Sequence, residues 1–173
     1  MENNLIRFKT FNPGDYLCKQ GDKTNTVAYL AEGFFESIHI DDEEGKSIIQ
    51  KFYLSNTSMA PYNSILEGTP SDVSIIALEK SSTFLMNYQD IKNLYSRHEC
   101  WQAIGRRFGE IEYISKNKRE KELLTKNPQE RYEIFINENS EIAEKISDRK
   151  LSQYLGISYV SLSRIKKRIS HKD

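Results

Sequence analysis

The C-terminal end of the chain carries side chains whose chemistry suits a nucleic acid. From Arg149 to the end, seven Lys and Arg residues stand against a single acidic residue, Asp173. The residues that combine small, hydroxyl and basic side chains at close spacing are Ser158, Tyr159, Val160, Ser161, Ser163, Arg164, Lys166, Lys167 and Arg168. An Arg can hydrogen-bond guanine through two donors, a Val can contact the thymine methyl group, and a Lys can neutralise phosphate. These side chains therefore predict a contact with double-stranded DNA.

Two amphipathic helices joined by a tight turn must position these side chains. Ser147 or Asp148 can cap a first helix, in which Leu151 and Leu155 are the inward residues. Gly156 then permits the left-handed backbone that sets two helices at a steep angle. In the second helix the inward stripe is Leu162, Ile165 and Ile169, and the outward face is Val160, Ser163, Arg164 and Lys167. The pattern predicts a helix-turn-helix whose second helix enters the major groove.

A plain pair of helices with a solvated basic face has the same spacing, so the sequence leaves a second interpretation open. In that alternative the chain is a ligand-binding or protein-interaction module that has lost DNA binding. Tyr159 and Val160 favour it, because neither side chain is basic. The basic terminus, the turn spacing and the outward face agree with one another, and this agreement favours DNA binding.

A long helix upstream of this motif is predicted to form a homodimer. The apolar residues Trp101, Ile104, Phe108 and Ile111 follow one another at steps of three, four and three. A repeat of about 3.5 residues is the seam of a coiled coil. The helix is expected over residues 98–126, because residues 127–130, Asn-Pro-Gln-Glu, have the cap, the proline and the acid that begin a new helix.

The preceding part of the chain has the pattern of short β-strands between turns. Segments rich in aromatic and β-branched residues lie at 26–31, 34–40, 47–53, 72–78 and 83–87, with a hairpin loop expected at 41–45 and a short helix at 62–67. Evenly spaced short strands favour a barrel or a sandwich. The expected fold class is α+β, with a β-rich domain over residues 1–97, the dimerisation helix over 98–126 and a helix-turn-helix domain over 127–173.

Composition and charge exclude several other classes of protein. The net charge is zero, but residues 116–173 hold 14 Lys and Arg against 9 Asp and Glu, which favours a polyanion partner for this end. No segment approaches the roughly 20 apolar residues of a membrane span. Cys18 and Cys100 are expected as free thiols in a reducing cytoplasm. Because His39, His98 and His171 lack metal-ligand spacing and no nucleophile–base pair is present, we expect no metal, no cofactor and no enzyme activity.

At residues 156–165, Gly-Ile-Ser-Tyr-Val-Ser-Leu-Ser-Arg-Ile, the chain resembles the recognition motif of the Crp/Fnr family of transcription regulators. The order of its parts is also similar to that family: a cyclic-nucleotide-binding-like β-roll (a double-stranded β-helix), a long dimerisation helix and a helix-turn-helix. Pro13-Gly14-Asp15, Gly21-Asp22, Gly33 and Gly45 resemble the strand-joining turns of the family. The resemblance covers nearly the whole chain and implies a homodimeric regulator that binds a two-fold-symmetric DNA site.

The sequence departs from the family where the family binds the phosphate of a cyclic nucleotide. The Gly-Glu pair of that cassette corresponds to Pro61 and Tyr62, and its Arg corresponds to Ser71. Because a buried anion needs a positive partner, we expect no binding of cyclic AMP by the usual route, and any small-molecule effector should be less anionic. The Arg-Glu pair that opens the recognition helix of the family is replaced by Tyr159 and Val160.

Overall fold

The chain divides into two structural units, one ending at Gln102 and the other beginning at Ala103. This computed structural model describes residues 5–41 and 45–170. Its strands are β1 (Arg7–Phe11), β2 (Tyr16–Cys18), β3 (Thr26–Glu32), β4 (Phe34–Ile40), β5 (Ser47–Leu54), β6 (Thr57–Met59), β7 (Ser74–Ala77) and β8 (Ser81–Asn87). Its helices are α1 (Tyr62–Glu67), α2 (Tyr88–Tyr95), α3 (Glu99–Thr125), α4 (Pro128–Glu138), α5 (Ser140–Lys145), α6 (Asp148–Leu155) and α7 (Tyr159–Ser170). No helix in the described ranges has the length and apolar character that a membrane crossing requires.

The strands of the first unit form two antiparallel sheets of four strands each. The order is β1-β8-β3-β6 in one sheet and β2-β7-β4-β5 in the other. Pairs that are distant in sequence close the roll, as where Arg7 of β1 lies opposite Leu85 of β8. The predicted α+β class with an N-terminal double-stranded β-helix is therefore confirmed.

Alternation along the strands sends one set of side chains into a common core. In β3, Ala28 and Leu30 are fully buried, whereas Tyr29 between them is 42% exposed. Both sheets contribute to the buried cluster, which consists of Phe11, Cys18, Ala28, Leu30, Phe35, Tyr53, Met59, Val73, Ile75, Ala77 and Leu85. Full burial of each large apolar side chain contributes about 1.5–3 kcal/mol, so this cluster holds the two sheets together.

Some elements have the predicted bounds and others differ. The strand over 34–40 and the helix over 62–67 match their predictions to the residue, whereas the sequence patterns do not predict β1, β2, β6 or α5. Of the predicted hairpin loop, residues 42–44 lie outside the described residues, and the Gly45 amide donates to the Asp41 carbonyl at 2.9 Å. The division between the two units falls after Gln102, inside α3.

Gly33 joins β3 to β4 and has no room for a side chain. Its φ is 125°, and a Cβ there would lie 2.0 Å from the Ser81 Oγ and 2.7 Å from the Ser81 Cα. We expect Gly33→Ala to lower the free energy of unfolding by about 1–3 kcal/mol through overpacking, in addition to about 1–3 kcal/mol of backbone strain. Gly21→Ala is the control, because Gly21 has a φ of 88° but no atom within 4 Å of the added Cβ. Urea unfolding compares the two variants, and equal losses would contradict this packing.

Candidate nucleic-acid interface

The connection between α6 and α7 has the geometry of a helix-turn-helix. Gly156 ends α6 in the left-handed conformation, with a φ of 65°. The Ile157 amide folds back and donates to the Ser152 carbonyl at 3.0 Å. At the other end of α6 the Ser147 hydroxyl accepts a backbone hydrogen bond at 3.3 Å, so Ser147 is the cap and Asp148 is the first helical residue. The turn predicted at Gly156 therefore forms between two regularly ended helices.

The first turn of α7 is held by two of the predicted DNA-contacting serines. The Ser158 Oγ accepts a hydrogen bond from the Ser161 amide at 3.1 Å, which is the cap expected from the sequence. The same Oγ lies 2.9 Å from the Ser161 Oγ. Ser163 lies on the next turn and is half-buried. These small side chains stabilise the start of the helix and leave its backbone accessible.

A continuous apolar stripe fixes the rotation of α7. Leu162 is 0% exposed and Ile165 is 5% exposed, while Ile169 is half-buried. Helices α4 and α6 pack against α7, and the other buried apolar side chains of this unit are Phe135, Ile142, Leu151 and Leu155. Because neighbouring helical positions differ by about 100°, burial of this stripe decides which residues of α7 face outward.

The outer side of α7 carries a mixed apolar and basic surface. Tyr159 is 57% exposed and Val160 is 56% exposed. Arg164 and Lys167 are exposed as well. Within the described part of the chain, neither of these two cationic groups has a hydrogen-bond or ion-pair partner. Four predicted DNA-contacting residues are thus brought to one accessible face.

Lys166 and Arg168, two more of the predicted DNA-contacting residues, have partners inside the domain. The Lys166 Nζ lies 2.6 Å from the Asp148 Oδ1, and this hydrogen bond raises the pKa of the Lys166 ammonium. The Arg168 Nη1 donates to the Gln129 Oε1 of α4 at 3.2 Å. Both side chains therefore tie α7 to neighbouring helices. Their role as DNA contacts stays a prediction, as it does for the rest of the set.

The predicted dimer seam lies on the N-terminal half of α3. Ile104 is 57% exposed and Ile111 is 50% exposed within the chain. Trp101 and Phe108 are half-buried. Four more apolar residues of this helix are exposed, and the seam spacing does not predict them: Tyr113 at 70%, Ile114 at 61%, Leu123 at 42% and Leu124 at 77%. The role of these residues in a dimer interface stays a prediction.

Ser71, which the sequence resemblance assigns to the position of the family's cyclic-phosphate Arg, is part of the core. Its hydroxyl donates to the Val73 carbonyl at 2.6 Å and accepts from the Val73 amide at 3.3 Å. The Cys18 Sγ lies 3.9 Å from the same hydroxyl, and burial raises the pKa of the Cys18 thiol. Ser71 is 3% exposed. Its polar atoms are therefore used within the protein and carry no positive charge.

The short helix beside it is also closed by internal contacts. Pro61 precedes α1 and makes no side-chain cap, and proline has no N–H to offer an anion. The Tyr62 ring is half-buried and meets the Tyr88 ring edge-on, with 5.8 Å between the ring centroids. The Ser64 hydroxyl donates to the Asp72 carboxylate and accepts from the Asp72 amide, each at 3.2 Å. The charged group nearest in sequence to Ser71 is thus an anion.

The first unit matches a known family. The family model of the cyclic nucleotide-binding domain matches residues 8–98, which is more than half of the 173-residue chain. The chain therefore belongs to the family of cyclic nucleotide-binding domains. No curated protein matches its sequence.

Solved structures resemble the chain over nearly its whole length. FixK2 from Bradyrhizobium japonicum has a TM-score of 0.81 and 16% identity, and the match covers 96% of this chain and 85% of FixK2. The c-di-GMP responsive global regulator CLP of Xanthomonas campestris has a TM-score of 0.78 and 14% identity, with coverages of 97% and 88%. A transcriptional regulator of the Crp/Fnr family from Eubacterium rectale has a TM-score of 0.76 and 14% identity, with coverages of 96% and 79%. The chain has the fold of the Crp/Fnr regulators, as its motifs predict.

The assigned rotation of α7 can be tested without DNA. Leu162→Ala removes a fully buried side chain and should lower the free energy of unfolding of the C-terminal unit by about 2–5 kcal/mol. Val160→Ala removes methyl groups from an exposed position and should change the free energy of unfolding by no more than about 0.5 kcal/mol. Circular dichroism during urea unfolding measures both. If Val160→Ala were the more damaging change, the outer and inner faces would have to be exchanged.

Proposed function

We propose that this protein is a homodimeric transcription regulator that binds a two-fold-symmetric site in double-stranded DNA. The observation that carries the proposal is the outer side of α7, which lies opposite a buried apolar stripe and exposes Tyr159, Val160, Arg164 and Lys167. A single α-helix fits the width of the major groove. The fold supports the proposal, since the CLP and Eubacterium rectale proteins that share it are regulators.

Each exposed side chain of α7 has a role that its chemistry suits. Arg164, in the second turn, is placed to donate two hydrogen bonds to a guanine. Val160 presents methyl groups that match the methyl of thymine, and Tyr159 stands at the first position of the helix. Lys167 is one turn beyond Arg164 and suits a phosphate. The base sequence is then read mainly by the first two turns of the helix, as in other helix-turn-helix proteins.

The exposed seam of α3 supports the proposed homodimer. Full burial of an Ile or Phe side chain contributes about 1.5–3 kcal/mol, so Ile104 and Ile111 favour association of two copies through this helix. A coiled coil of two α3 helices would bury both on a two-fold axis. Two copies of α7 about 34 Å apart would then reach successive major grooves on one side of the DNA.

We also infer that the protein does not bind cyclic AMP or cyclic GMP by the usual route of its family. A cyclic phosphate needs a positive group and several aligned donors in a partly dry pocket. Ser71 offers neither a charge nor a free hydroxyl, and Pro61 has no N–H. Asp72 adds a negative charge beside them. Any effector of the first unit should be less anionic than a cyclic nucleotide.

The two cysteines bear on where the protein works. Cys18 is buried, Cys100 is exposed, and both are free thiols. An exposed free thiol persists in a reducing compartment. We therefore propose the cytoplasm, where a regulator would also meet its DNA.

An electrophoretic shift with fragments of genomic DNA tests the proposed function most simply. Binding to a minority of fragments, in the presence of excess unrelated DNA, is the result expected for a regulator. Failure to shift any fragment at low salt would favour a protein-interaction module instead, with Tyr159 and Val160 as part of its contact surface.

Arg164 and Lys167 form a matched pair, because Ala at either position removes one positive charge from the same helix. Arg164→Ala should weaken binding to the best site by about 1–3 kcal/mol and relax the preference at one base pair. Lys167→Ala should weaken binding to all sequences alike and reduce the slope of log K against log salt by about 0.9. Fluorescence anisotropy across a salt series measures both effects. Identical behaviour of the two variants would show that Arg164 reads no base.

Ile104→Asp should separate the dimer, because it places a carboxylate in the apolar seam at a cost of several kcal/mol. Asn117→Asp is the control: it adds the same charge at an exposed position of α3 that lies off the seam. Sedimentation velocity at micromolar protein should give dimers for the control and monomers for Ile104→Asp. A sedimentation mass of 20.2 kDa for the wild-type protein, which is the mass of one chain, would rule out the proposed dimer.

Calorimetry with cyclic AMP and cyclic GMP tests the inference about the first unit. We expect no heat of binding at micromolar protein, because the site lacks the charge that holds the phosphate. Micromolar affinity that is lost when Ser71 is replaced would show that the pocket binds these nucleotides by another arrangement.

A further inference from the structure

Arg119 of α3 is joined to the first helix of the helix-turn-helix by two contacts. Its guanidinium carbon lies 3.8 Å from the centroid of the Tyr154 ring, which is the distance of a cation–π stack. Its Nη2 also donates a hydrogen bond to the Tyr154 carbonyl. Tyr154 lies in the last turn of α6, two residues before Gly156. One side chain of α3 thus holds both the ring and the backbone of the residue that leads into the turn.

The hydrogen bond to the Tyr154 carbonyl lies at the end of α6, where the helix itself supplies no donor. The last four carbonyls of an α-helix have no partner within the helix. In α6, the Ser152 and Gln153 carbonyls accept hydrogen bonds from the amides of Ile157 and Gly156. The Tyr154 carbonyl receives its hydrogen bond from Arg119. One carbonyl at the end of α6, that of Tyr154, therefore accepts a hydrogen bond from another element.

Arg119 contacts the ring and the carbonyl of Tyr154 and, among the described residues, is not part of an ion pair. Arg119 is half-buried, and no carboxylate lies within ion-pair distance of it in the described part of the chain. Burial lowers the pKa of Arg119, and the guanidinium still remains charged at neutral pH. The planar group stacks on the ring and donates along its edge, which the ammonium of a Lys cannot do.

Further contacts between helix ends surround this pair. The Phe135 ring of α4 lies 5.0 Å from the Tyr154 ring, measured between centroids. The Arg131 Nη1 of α4 donates to the Leu123 and Lys126 carbonyls at the end of α3, at 3.3 Å and 3.2 Å. A Leu123 methyl lies 3.7 Å from the place where a Cβ of Gly156 would be. The C-terminal half of α3 is therefore packed onto the turn that precedes α7.

We propose that Arg119 is a positioning residue for DNA binding, which sets the direction of α6 and α7 relative to α3. The inference rests on the proposed function, because α3 is also the proposed dimer helix. In a dimer, the angle between α3 and α7 decides how far apart the two copies of α7 lie. Arg119 thereby determines which spacing of half-sites the protein accepts, although its guanidinium is covered by Tyr154 and contacts no DNA.

The test compares Arg119→Met with Lys121→Met, which removes the same charge from an exposed position two residues away on α3. Binding is measured by fluorescence anisotropy on a symmetric site selected with the wild-type protein, and on the same site with one base pair inserted or removed between the half-sites. Arg119→Met should bind the selected site about tenfold more weakly, as expected for loss of a charge-assisted hydrogen bond, and should discriminate less among the three spacings. For Arg119→Met, the slope of log K against log salt should stay at the wild-type value. Lys121→Met should retain the wild-type spacing preference.

Two results would overturn the proposal. The first is that Arg119→Met keeps the wild-type preference for half-site spacing. The second is that Arg119→Met reduces the slope of log K against log salt by about 0.9, because such a change indicates a direct phosphate contact. If Arg119→Met does not fold, Arg119→Lys serves in its place and should show the same loss of spacing preference at smaller magnitude, because the ring stack is weakened.

Amide hydrogen exchange without DNA separates failure of this proposal from failure of the proposed function. The Ile157 amide should exchange about tenfold faster in Arg119→Met than in Lys121→Met. Faster exchange together with no DNA binding by the wild-type protein would reject the regulator and keep the role of Arg119 in the turn. Unchanged exchange would reject the role of Arg119, whatever the DNA result.

Discussion

The burial of Leu162 and Ile165 is the interaction on which the rest of this account depends. A helix has one rotation that buries both side chains, so their burial also assigns a direction to every other residue of α7. Arg164 and Val160 face outward as a consequence of packing in the core. No separate interaction is needed to present them, and a single apolar stripe therefore links the stability of the C-terminal unit to the surface that we propose for DNA binding.

The first unit has the fold of its family, and several of its polar groups are hydrogen-bonded within the protein. In the cassette, Ser71 and Ser64 hydroxyls are used to bond the backbone and side chain of neighbouring residues. These bonds stabilise the turn between α1 and β7 without a ligand, because a buried hydroxyl must find a partner within the protein when none is supplied from outside.

Much of the architecture could be predicted from local patterns, whereas contacts between distant elements could not. The hydrophobic run of β4 and the Asn-Pro-x-Glu start of α4 define those elements within the sequence. By contrast, β1 has only one buried residue, Phe11, and its hydrophobic pattern is correspondingly weak. Two contacts depend instead on how the helices pack. Lys166 bonds Asp148, 18 residues away, and Arg119 bonds Tyr154, 35 residues away. Periodicity identifies the face of a helix but not its neighbour.

Selection of bound sequences from a random DNA pool tests most directly whether two copies of α7 read a symmetric DNA site. We expect enrichment of a two-fold-symmetric sequence whose half-sites lie about 10–10.5 base pairs apart from centre to centre, with a G·C pair fixed in each half-site. A pool that remains random after repeated rounds, at a salt concentration low enough for phosphate contacts to form, would contradict it.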